Sequence, residues 1–163
     1  MPVTHRDHVE TLLRRAAVDH EGLLTRLPPA LQASLPVDAQ GVTQAIEHLA
    51  EAAGLSPEQR RAMIRPHAIN PAVMHARVFG PTELSPETVL GSFVEGARVR
   101  AEALGALADT IGGQALGSEI RALLIDNPPP AAAAEPGAMA ALRATYAAQE
   151  QAAVLIATRL DDG

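Results

Sequence analysis

Residues 86–111 read PETVLGSFVEGARVRAEALGALADTI, and this stretch decides the fold. Leu90, Phe93, Ala97, Ala101, Leu104 and Ile111 recur at intervals of three, four and seven residues. That is the period of one helix face, and no strand produces it. Ser85-Pro86 supplies an N-cap followed by a proline whose missing N–H costs nothing at the first helical position. Gly91, Gly96 and Gly105 lie inside the run, each less favourable than Ala by up to ~1 kcal/mol. We read them as points where a neighbouring helix comes close. Gly112-Gly113 stops the run, and a further helix is expected over Ser118–Ile125.

The same signals extend to both ends of the chain. Val9, Leu13, Ala16, His20, Leu23 and Leu27 form a seam that predicts a helix over Thr4–Leu27, closed by Pro28-Pro29. Val42, Ile46, Leu49 and Ala53 predict a second helix over Asp38–Ala53, with Gly54 as its C′ residue. Ser56-Pro57-Glu58-Gln59 carries an N-cap, a proline at N1 and a capping-box glutamine, opening a helix that reaches Arg65. Asn70-Pro71 opens a short helix to Phe79. Asn127–Pro136 (NPPPAAAAEP) is a stiff linker, and the last helix covers Ala138–Leu160 with Met139, Leu142, Tyr146, Gln149, Ala153, Ile156 and Leu160 on its seam. Asp161-Asp162-Gly163 reads as a frayed end. The expectation is all-α: one domain, residues 1–163, of five to seven helices.

Composition narrows the chemistry. Apolar residues make up 47% of the 163, yet there are two Phe, one Tyr and no Trp, so the core must be aliphatic and Ala-rich, with helices packed closely. All thirteen basic residues are Arg, which with the abundant Ala and Pro points to a GC-rich, bacterial genome. The formal charge of −6 makes nucleic acid an unlikely partner, since that binding needs a dense positive face. Absence of Cys removes disulfides, thiolate metal sites and Cys nucleophiles. With polar His5-Arg6-Asp7-His8 near the N-terminus and no apolar run of ~20 residues, a cytoplasmic location and no membrane association are expected.

Candidate sites are few. His5 and His8 form H-x-x-H on the first helix, and a metal there would need a third ligand from another helix. No Glu is followed by His three residues later, as a ferritin-like di-iron site would require, and His48-x-x-Glu51 has the reverse order. No metal and no cofactor are therefore expected. His20 and Gln149 each interrupt an apolar seam at its centre, and with Tyr146 they are the speculative ligand-binding residues. They are expected to approach one another if the first and last helices pack together. On the last helix Ala148, Ala152 and Leu155 form a second apolar face, read as a self-association surface.

The stretch Leu49–Ile64 (LAEAAGLSPEQRRAMI) resembles the helix-turn-helix of DNA-binding proteins, with Ala50, Gly54, Leu55, Ser56 and Met63 in fitting positions. Arg60 departs from the pattern, which has a buried apolar residue there. The resemblance implies Arg60, Arg61 and Arg65 as nucleic-acid contacts. Weighed together, these features favour a non-enzymatic helical interaction or regulatory protein that binds a protein partner or its own copy. The alternatives are a ligand- or metal-binding helical enzyme using His20 with His5 or His8, and a DNA-binding regulator.

Overall fold

A computed structural model describes residues 3–24, 39–64, 86–131 and 136–162. Among the described residues there are five helices and no strand: α1 His5–Leu24, α2 Ala39–Ala52, α3 Pro57–Ile64, α4 Pro86–Ile125 and α5 Ala138–Asp162. The short helix expected from Asn70 to Phe79, the Pro28-Pro29 stop and Arg65 lie outside the described residues, as do the side chains of His20, Leu90, Phe93 and Met139.

The α2–α3 corner is built as its sequence dictates. Leu55 N–H donates to the Ala50 carbonyl and Gly54 N–H to the Glu51 carbonyl, both at 3.0 Å. These are the two bonds of a Schellman motif, and Gly54 takes the left-handed φ of 83° that the motif requires. Ser56 and Gln59 then cap α3 reciprocally: Gln59 N–H donates to Ser56 Oγ at 3.1 Å, and Ser56 N–H to Gln59 Oε1 at 2.8 Å.

Gly113 divides α4 into two arms. Its φ of 70° and ψ of −167° are non-helical, a conformation that Cβ-bearing residues avoid. The arms double back on each other. Asp109 meets Gly117, four residues either side of Gly113, and Gly105 meets Arg121, eight residues either side. Arg121 donates from Nη1 and Nη2 to the two carboxylate oxygens of Asp109, at 2.9 and 2.6 Å. That bidentate bond holds the Asp109 carboxyl below its usual range. Leu116, Ile120 and Leu124 of the second arm thereby enter the core.

α5 packs against α1, α2 and α4. Ala on every side of this helix is what lets three neighbours approach it. The second apolar face of α5 is accordingly not a free surface. Ala148 and Ala152 are buried within the single chain, and Leu155 is half-buried against the core. The C-terminal end is also anchored rather than frayed. Asp161 accepts the backbone N–H groups of His5 (2.8 Å) and Arg6 (3.0 Å), capping α1 from another helix. Partial burial pulls the Asp161 carboxyl up, but the Arg6 and His5 donors outweigh it and hold the carboxyl below its ordinary value. The proline segment is strapped down on both sides: Arg98 Nη2 donates to the Ala131 carbonyl at 2.9 Å, and the Thr145 hydroxyl to that of Pro128 at 2.9 Å.

The hairpin makes a discriminating prediction. A Cβ at Gly112 would lie 2.5 Å from Leu116 Cβ, an atom fixed to the backbone. Gly112→Ala is therefore expected to lower stability in urea denaturation by about 1–3 kcal/mol through overpacking. A Cβ at Gly117 would meet Asp109 Oδ1 and Arg121 Nη1, the ends of flexible, exposed side chains. Gly117→Ala disturbs only that exposed pair and gains helix propensity, so it is expected to cost clearly less than Gly112→Ala in the same measurement.

Candidate functional site

The buried polar centre lies between α4 and α5. Ala97, Arg100 and Leu104 stand at helical spacing on α4, and Leu142, Tyr146, Gln149 and Ala153 on α5; all are buried. Tyr146 and Gln149, the two seam residues expected to bind ligand, do come together. Their partner is Arg100, which the sequence reading did not single out. Arg100 Nη2 donates to the Tyr146 hydroxyl at 2.9 Å and Nε to Gln149 Oε1 at 3.4 Å. The guanidinium carbon sits 5.0 Å from the centroid of the Tyr146 ring. Gln149 Nε2 donates to the Ala97 carbonyl at 2.8 Å, which fixes the amide.

Arg100 is 6% exposed, and among the described residues no carboxylate pairs with it. Its Nη1 lies over Gly96, 3.0 Å from where a Cβ would stand, so glycine there makes the room. Burial lowers the Arg100 pKa from its ordinary value while Tyr146 raises it. The Tyr146 hydroxyl is pushed up to about 12 by burial, with Arg100 opposing. The pair is thus a guanidinium cation donating to a neutral phenol in a dry setting. That arrangement can receive an anion, and it offers no acid–base couple that works near neutral pH. Arg100 was legible in one respect: it falls on the α4 seam, three residues after Ala97 and four before Leu104.

Histidines form a second cluster. His5 Nδ1 and His48 Nε2 are 3.1 Å apart, and the His8 ring centroid lies 4.1 Å from that of His48. His48 of α2 thus stands against both histidines of the H-x-x-H pair. Burial, then His8 and His5, lower the His48 pKa below its ordinary 6.5, while Glu51 raises it slightly. The His20 side chain, proposed to join Gln149, lies outside the described residues. Of the arginines in the helix-turn-helix resemblance, Arg61 is exposed and Arg60 is 3.8 Å from Glu51. Glu47 and Glu51 line the same surface groove as Arg60 and Arg61, so an approaching phosphate would meet carboxylates as well as guanidinium groups.

Fold and site together define an all-α bundle with a buried guanidinium at the α4–α5 contact and, among the described residues, no carboxylate paired with it. Compared with known protein families, curated proteins and solved structures, the chain matches none.

Two outcomes are expected. Arg100→Met removes the buried charge but also takes a donor from the buried Gln149 Oε1 and Tyr146 hydroxyl, so the two effects offset and its change in chemical denaturation is expected to stay under about 2 kcal/mol. Leu104→Ala, a plain core truncation, loses about 2–5 kcal/mol. A loss of that size in Arg100→Met would mark Arg100 as structural. The second outcome concerns pH. Because the folded His48 pKa is depressed, its contribution is fully present above the unfolded value of 6.5 and is lost as pH falls through the folded value. In chelator-containing buffer, stability should decline from pH 7 to pH 5, and His48→Gln should flatten that decline.

Proposed function

We propose that this chain is a non-enzymatic helical binding protein of the interaction or regulatory kind, whose ligand places a carboxylate on Arg100. One observation carries the reading: a guanidinium 6% exposed with no carboxylate partner among the described residues. A buried charge left without a counter-charge costs several kcal/mol. Guanidinium presents its N–H groups as a planar fork that matches a carboxylate in two parallel bonds. Tyr146 and Gln149 hold that fork in one orientation. Ala97, Leu104, Leu142 and Ala153, buried at neighbouring helical positions, favour a ligand whose remaining body is apolar. Ligand at this contact stabilises the packed bundle by linkage, which gives a regulatory role its physical basis. The groove shared by Glu47, Glu51, Arg60 and Arg61 supports no nucleic-acid reading.

Thermal unfolding with octanoate, octanol, benzoate and inorganic phosphate tests this. The apolar carboxylates are expected to stabilise the wild type, by about 2.7 kcal/mol at a hundredfold excess over Kd. Octanol, with the same chain and no charge, should not. Arg100→Met should stay folded and lose the response. Equal shifts in wild type and variant, or none in either, would overturn the proposal.

A further inference from the structure

The His5, His8 and His48 cluster lies away from the Arg100 centre. Asp161, which caps His5, is 12 residues beyond Gln149 on α5, or ~18 Å of helical rise. Its chemistry is separate too, since three imidazoles make a set of borderline nitrogen ligands. His5 and His8 stand one turn apart on α1, and His48 arrives from α2. Neighbouring nitrogens of a tetrahedral ion, each at ~2.0–2.1 Å, lie ~3.3 Å apart. His5 Nδ1 and His48 Nε2 are already 3.1 Å apart.

We infer that His5, His48 and His8 form a binding site for a divalent first-row ion such as Zn2+, clipping α1 to α2. As their side chains stand, no group of three or more His, Asp or Glu among the described residues could hold a metal ion. His5 and His48 already converge, and His8 completes the set by turning from its stack on His48. It is exposed and free to turn, whereas His5 and His48 are half-buried. The proton shared between His5 Nδ1 and His48 Nε2 moves to the far nitrogen of its own ring, and the ion takes its place. Carboxylates stand close by. Asp161 holds the His5 backbone N–H, and Glu51 is three residues beyond His48; both favour a cation. The expectation of no metal rested on the absence of Cys and of a matched Glu/His set across helices; it did not weigh His48 together with His5 and His8.

Calorimetric titration of the tag-free, chelator-stripped chain with Zn2+ is the test. A one-to-one complex tighter than about 100 µM is expected. His5→Gln and His48→Gln should each weaken it at least tenfold, and His8→Gln by a similar factor. A matched far-ultraviolet spectrum in each metal-free variant separates lost ligands from lost fold. Zn2+ should also raise the thermal midpoint of the wild type and not that of His48→Gln. Absence of one-to-one binding, or binding unchanged in a His5/His48→Gln double variant, would overturn the inference.

Discussion

Three helices lean on α5, and they can do so because so many of its side chains are a single methyl group. A helix packed on one side carries charge on the other. α5 instead buries Ala148, Ala152, Ala153 and Ala157 around Ile156. Small residues shorten the interaxial distance, so α1, α2 and α4 reach α5 from different directions. Dispersion falls off steeply with any gap, so this closeness is where the packing energy of an aromatic-poor core resides. The rest of the bundle is arranged around that contact. The α4 hairpin folds its second arm into the core, Asp161 ties the end of α5 to the start of α1, and Arg98 with Thr145 presses the proline segment against the α4–α5 pair.

Against that background Arg100 is anomalous in energetic terms. Gly96 gives it room, Tyr146 and Gln149 hold it, and aliphatic neighbours keep water away. Each of these arrangements fixes a cation in low dielectric, where its interaction with an anion is strongest. The histidine cluster is the opposite case: its groups are half-buried or exposed, and water solvates what their neighbours do not. It bridges α1 and α2, two helices that the core already joins.

The α2–α3 corner shows why local resemblance carries little function. A Schellman stop at Gly54 and a capping box at Ser56 and Gln59 turn the chain in four residues. DNA-binding helix pairs use similar punctuation, because the same orphan backbone groups must be satisfied at any such corner. The groove beside the corner mixes Glu47 and Glu51 with Arg60 and Arg61, and only the electrostatics of that surface distinguish one use from another.

What the sequence determined by itself was local. Helix boundaries at Ala39, Ala52, Pro57, Pro86 and Ala138 fall within a residue or two of their caps, prolines and glycines, because those signals act through backbone groups only a few residues apart. Burial of Tyr146 and Gln149 was legible too, since a seam position is buried whichever helix covers it. Tertiary structure decided everything that depends on which helices meet. Gly112-Gly113 marked a stop, but only packing showed that α4 folds back on itself there. The second apolar face of α5 looked free because periodicity cannot say how many neighbours a helix has. Arg100 was not singled out, and His48 read only as a His-x-x-Glu in the reverse order for a di-iron site. Each gains its meaning from a residue more than forty positions away. Chain entropy lets such distant groups meet only when an entire fold forms, so no local window of sequence records them.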